Sequence, residues 1–201
     1  MEKLSTEEGK LAVSIARNTL DVFVSEGERF EPGKIPEIFK KDRGVFVTLS
    51  NGLSGDLRGC IGFPEPVAPF IDALIDAAIS AASRDPRFYP VELNELDLVI
   101  VEVSALTPPV EIEVKSPDEY LKKIKVGRDG LIITKGFSSG LLLPQVPVEW
   151  GWNKEEYLAQ LCRKAGLAKD AWRESGVVIE RFEAQVWTED SPRGEIVQKP
   201  L

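Results

Sequence analysis

The chain has 201 residues, 43% hydrophobic and 29% charged, with a formal net charge of −8, two cysteines and no histidine. That is enough chain for one domain, or two small intertwined subdomains, with a core that needs no disulfide staples. Missing histidine removes Ser-His-Asp and Cys-His catalysis and every imidazole metal centre, and two cysteines are too few for a cysteine-built zinc site.

In chain order, "STEEGKLAVSIARNTLDVFVSEG" opens with Ser5 and Glu8 in capping-box spacing and continues with Leu11, Ile15 and Val22 on one face, which predicts a long helix ending near Gly27. "EPGKIPEIFKKD" reads as a proline-rich connector with at most one helical turn. "GVFVTLS" (44–50) and "DLRGCIGF" (56–63) are β-like runs around "NGLSG", a hairpin with a five-residue loop. A second, mostly buried helix follows over 67–83. "RDPRFYPV" (84–91) is a structured loop, because Pro86 and Pro90 interrupt it.

"LDLVIVEVSAL" (96–106) is a long strand with Val99, Val101, Val103 and Ala105 on one face. "SPDEYLKKI" is a short helix. "GLIITKG" and "GLLLPQV" form a hairpin across "FSS", and "NKEEYLAQLCRKAGL" is a helix capped by Asn153 and closed by Gly166. "VVIERFEAQVWTE" (177–189) is the last strand, and residues 191–201 read as a loose polar tail after a single domain over 1–190. Hairpins dominate and β-α-β alternation is absent. The expected class is α+β, a largely antiparallel sheet flanked by helices.

Three segments carry candidate chemistry. On a regular strand Arg58, Cys60 and Gly62 share one face, with Leu57, Gly59, Ile61 and Phe63 on the core face. Arg58 and Cys60 then stand roughly 6–7 Å apart, where a guanidinium favours thiolate. Gly59 and Gly62 admit the close approach of a ligand or of another backbone. The plainer reading makes Cys60 a small core residue. In "SRDPRFYPV", Arg84 and Arg87 around Asp85 are either a self-contained ion-pair cluster or a clamp for an anion. In "LLLPQVPVEWGW", Pro144 marks an edge or bulge, and Gln145, Glu149, Trp150 and Trp152 form either a binding wall or a lid over the core. Cys162 lies on the apolar stripe of its helix and reads as core.

Acid–base work, if any, falls to Asp, Glu, Lys, Tyr or Cys. No metal or cofactor site is expected. The acidic balance weighs against duplex DNA, and no apolar run approaches the ~20 residues of a membrane span. With no secretory signal at the start, a cytoplasmic location follows. Few Met and Cys among many Glu, Lys and Arg hint at a thermophilic source.

"LRGCIGF", "SRDPRF", "VSALTPP", "GLLLPQV..E.GW" and "CRKAGL", in that order, resemble the AMMECR-one domain family, named for the Alport syndrome and elliptocytosis chromosomal region. The resemblance runs over about residues 5–190, as a stand-alone archaeal member. It implies two unequal subdomains with a cleft between them. Leu57 to Gly62 would be the signature there, with Arg84 to Phe88 and Leu142 to Glu149 nearby. It implies no established activity. It does imply Memo-like and radical-SAM proteins as pathway partners, on an aromatic substrate or an RNA base. Three functions stay open: a ligand-binding or adaptor module recognising an anion; an enzyme with Cys60 and Arg58 as catalytic pair; and nucleotide or RNA binding by the arginines and aromatics.

Overall fold

The computed structural model describes residues 3–200, as two compact units. One takes the chain up to Leu106 together with Gln185–Pro200, and the other is Thr107–Ala184.

The first unit begins with α1 (Thr6–Glu26), with Ser5 and Glu8 closing a reciprocal capping box and Gly27 (φ 74°) ending it in the left-handed conformation. After a 3-10 turn over Glu37–Lys40 come β1 (Val45–Asn51) and β2 (Leu57–Phe63). Then follow α2 (Phe70–Ser83) and β3 (Val99–Leu106). β1 pairs antiparallel with both β2 and β3. Alternation places Val45, Val47, Leu49, Val99, Val101 and Val103 in the core, where α1 and α2 supply Ala12, Leu20, Phe70, Leu74 and Ala78. α2 starts at Phe70 rather than 67, since Pro69 occupies its N-cap.

In the second unit β4 (Val110–Glu111) precedes α3 (Tyr120–Lys123), then β5 (Asp129–Lys135) and β6 (Ser138–Leu142). The hairpin turns on Gly136 and Phe137 alone, because Lys135 already faces Ser138, so it is tighter than "FSS" suggests. β6 stops before Pro144 and the chain enters α4 (Val146–Glu149), a helical turn where the sequence predicts an edge or bulge. Pro147 near its start fits the first turn, where a missing N–H costs nothing. α5 (Lys154–Lys164) carries its Asn153 cap and buries Tyr157, Leu158, Leu161 and Cys162, so Cys162 is core as read.

β7 (Val178–Glu189) runs through both units: residues up to Ala184 pair with β4 and β5, and those from Gln185 belong to the first unit. There β8 (Ile196–Lys199) pairs antiparallel with Val186–Glu189. The expected loose tail is thus partly a strand; Ile196 packs on the core and Lys199 bonds Glu102. The fold is α+β with an antiparallel sheet. Among the described residues, no helix is long and apolar enough to cross a membrane.

Candidate functional site

β2 pairs on one side with β1, and the register shifts between Leu49 and Ser50. Gly59 faces Leu49 and Leu57 faces Ser50, so Arg58 is the extra residue of a bulge. The bulge breaks the two-residue alternation that would have laid Arg58 beside Cys60. Its guanidinium instead forks onto Glu95 (2.7 and 2.9 Å) and donates to the carbonyls of Tyr89 (2.9 Å) and Pro90 (3.2 Å). Glu95 raises the pKa of Arg58 and is itself held lower by that guanidinium. Arg58 is therefore a clasp on the loop after α2, and the expected Arg58–Cys60 pair does not form.

Cys60 faces Thr48 across the hairpin, and the Thr48 hydroxyl donates to its Sγ at 3.2 Å. Burial pushes the thiol up; the Thr48 bond and the Arg87 charge only partly oppose it. Arg58 has no share in that balance. Half-buried, Cys60 is neither an exposed thiolate nor a core residue. We expect its alkylation rate, in a Cys162→Ala background, to rise only above the ordinary thiol range of ~8.5 and to be unchanged by Arg58→Ala. A reactive thiol below that range would contradict this environment.

The backbone of Cys60 faces away from β1, where Asp85 and Arg87 take the place of a neighbouring strand. The Cys60 N–H donates to Asp85 Oδ2 at 2.8 Å, and Arg87 Nη2 donates to the Cys60 carbonyl at 3.4 Å. Asp85, 4% exposed, also accepts from the Arg87 N–H (3.1 Å), Nε (2.9 Å) and Nη2 (2.6 Å). Those bonds, the Arg87 side chain first, hold its carboxyl well below the usual carboxylate range. The sequence's alternative of a self-contained ion pair describes Asp85 well, yet 54% of the Arg87 side chain remains exposed. Phe88 stands within 5.5 Å of the Arg87 guanidinium and 6.0 Å of that of Arg58. Arg84, at the end of α2, is exposed.

The two glycines serve the fold. A side chain at Gly59 would overlap the Ala81 carbonyl of α2, and one at Gly62 would overlap the Phe46 ring. Of the two approaches the sequence allows at Gly59, the close backbone is the one realised. Gln145 and Glu149 belong to the second unit. Gln145 caps α4 with its Oε1 buried and without a partner among the described residues, Glu149 is exposed, and Trp150 stacks on Trp152 at 6.2 Å.

Sequence reasoning missed Thr48 and Glu95. Thr48 is legible only once the bulge is known. Glu95 has a local signal, its capping-box spacing from Glu92. No three His, Cys, Asp or Glu side chains among the described residues are grouped so as to hold a metal ion.

The sequence profile of the AMMECR1 family matches residues 13–187. Protein MJ0810 of Methanocaldococcus jannaschii is 56% identical over 201 residues, all of both chains. Protein PH0010 of Pyrococcus horikoshii is 50% identical over 204 residues, 99% of this chain and 98% of that one. The crystal structure of uncharacterized protein PH0010 superposes with a TM-score of 0.89 at 50% identity, covering 100% of both chains. A profile match from within α1 into β7, with relatives alike over their whole length, settles the kinship: the chain belongs to the AMMECR1 family.

Proposed function

We propose that this chain is a ligand-binding or adaptor module of the cytoplasm, without covalent chemistry of its own, acting beside partner enzymes. The resemblance suggests Memo-like and radical-SAM proteins for those partners. The functional domain spans residues 1–190. The observation that carries the reading is the state of Arg87. Its Nε and Nη2 are fixed by the buried Asp85, Phe88 lies beside it, and 54% of its side chain stays exposed. A permanent charge held in place by a buried carboxylate is pre-organised to receive a small carboxylate, phosphate or nucleotide. The thiolate enzyme reading is the weaker one, because Cys60 is pushed up and Arg58 is committed to Glu95.

The test is calorimetric titration with inorganic phosphate, citrate and AMP as probes, on the wild type, Arg87→Ala and Cys60→Ser. At least one probe should bind the wild type, lose tenfold or more in affinity with Arg87→Ala, and bind Cys60→Ser unchanged. Binding indifferent to Arg87, or no binding of any probe, sinks the proposal.

A further inference from the structure

The second unit has an open sheet edge. β4 pairs with β7, and among the described residues no strand lies beyond it. Ile112 continues the ladder, donating to the Ile179 carbonyl at 2.8 Å. Bonded and unbonded positions alternate along an antiparallel ladder. Val110 and Ile112 therefore direct their N–H and carbonyl groups at β7, and Glu111 and Glu113 direct theirs outward. The Glu113 carbonyl accepts from the Lys123 ammonium; the N–H and carbonyl of Glu111 have no partner among the described residues. Beside this edge lies a hollow of about 410 Å³, lined by Val110, Glu111, Ile112, Glu113, Lys123 and Arg181.

Two rows of residues end at that edge with their charges unanswered. In one, Leu131, Arg181 and Val110 stand side by side on β5, β7 and β4. Arg181 is half-buried and makes no ion pair or hydrogen bond among the described residues. Glu183, on the same strand, meets Arg128 instead, at 3.9 Å. In the next row Ile132, Glu180 and Glu111 stand side by side. The two glutamates face each other at an unbonded position, where side chains come closest, and like charges directly opposite are destabilising. Neither has an ion-pair partner among the described residues. The pleat puts Arg181 and Glu111 on opposite faces, so neither answers the other. Glutamates on a short edge strand can guard it against pairing. A half-buried guanidinium one row away adds nothing to such a guard.

We infer that the β4 edge receives an extended protein segment as an added strand, with an acidic residue in the Arg181 row and a basic residue next to it in the Glu111 row. The added strand bonds the outward N–H and carbonyl of Glu111. Neighbouring residues of a strand point to opposite faces, so one acidic–basic pair serves both rows. Arg181 borders the same hollow as Val110, and its fork meets a carboxylate placed beyond that valine. The base lies against Glu111, with Glu113 on the same face. A second copy adding its own β4 would bring Glu111 and Glu113 rather than a base to this row. The site lies within the second unit, is separate from Arg87 and does not depend on the anion reading.

The probes are fluorescein-labelled octapeptides of Thr and Val with a central pair Glu-Lys, Lys-Glu, Glu-Glu, Lys-Lys or Gln-Gln, titrated by fluorescence anisotropy. The two mixed orders cover both directions of strand addition. One mixed order should bind, and the Gln-Gln peptide should bind tenfold or more weakly than it. N-methylating one alternate set of peptide amides should abolish binding and the other set should leave it, a pattern that charge attraction alone does not produce. Arg181→Gln and Glu111→Gln should each weaken the mixed peptide tenfold or more, and Glu111→Lys should turn the preference to Glu-Glu. Glu111→Pro removes only an outward N–H and should abolish binding, with thermal melts checking that each variant folds. Arg87→Ala should change none of this, which separates failure of this inference from failure of the anion site. No binding of either mixed order, equal binding of Gln-Gln, indifference to N-methylation, or a wild-type dimer in sedimentation that Glu111→Pro dissolves would each overturn it.

Discussion

An Arg17→Ala protein is expected to unfold with about 3–5 kcal/mol less free energy than the wild type in urea at neutral pH. Arg17 lies on the inner side of α1, 7% exposed. It donates from Nε (2.9 Å) and Nη2 (2.5 Å) to Glu189, and from Nη1 and Nη2 to the carbonyls of Leu96 (3.0 Å) and Val99 (2.7 Å). Glu189, 4% exposed, also accepts the Val101 N–H at 2.9 Å. Truncating the arginine strands a carboxylate inside the protein, and that is what costs, more than the loss of the pair's mutual attraction. The double variant Arg17→Ala/Glu189→Ala separates the two: it should be markedly less destabilised than the sum of the single changes. Additive costs would mean that the carboxylate finds water once its partner is gone. Against a total stability of roughly 5–15 kcal/mol, the single change alone threatens the fold.

The second large effect is expected at Asp85. Asp85→Asn should lower stability by about 2–3 kcal/mol at pH 7, because an amide replaces a buried oxygen that accepts from charged and backbone donors. The Arg87 head, exposed, rehydrates; the Cys60 N–H, facing the vacated oxygen, does not. The contribution of Asp85 also carries a pH signature. Its carboxyl is held well below the usual range in the folded chain, so its stabilisation is complete above the unfolded value of ~3.9 and is lost as pH falls toward the folded one. The gap between wild type and Asp85→Asn should therefore be constant from pH 7 to about 5 and close progressively below pH 4. A gap that stays constant to pH 2, or widens there, would show that Asp85 is not the ionised acceptor the geometry describes.

How far the residues announced this arrangement depends on whether local rules held. α1 and α5 were legible because caps and apolar spacing agree at Ser5, Gly27 and Asn153, and α2 in all but its start, which Pro69 sets three residues later than expected. The hairpin of β1 and β2 was legible as a hairpin, and its register was not. A bulge is a single unpaired residue with no composition of its own, and it moved Arg58 from beside Cys60 to Glu95. "SRDPRF" was legible as an ion-pair cluster or a clamp, and Asp85 with Arg87 forms the ion pair while 54% of the Arg87 side chain stays exposed. What no local pattern shows is which backbone groups a carboxylate will serve: the partner of Asp85 is the Cys60 N–H, 25 residues away. Arg17 could have been flagged, since a charge between Val13 and Leu20 on a core-facing stripe needs a buried partner. That its partner is Glu189, 172 residues on, lay outside any window of sequence.

The division of the chain bears on its synthesis. Thr107–Ala184 is an uninterrupted stretch and can begin to fold as soon as it leaves the ribosome, whereas the other unit is split around it. The bonds that close the split unit are among the last to become available: Leu4 must wait for Gln185, 181 residues later, and Arg17 for Glu189. A nascent chain arrested before β7 emerges would hold α1 with its buried guanidinium unanswered, a state for chaperones rather than for the core. The inserted unit therefore matures first, and the segment that begins the chain is among the last to become native.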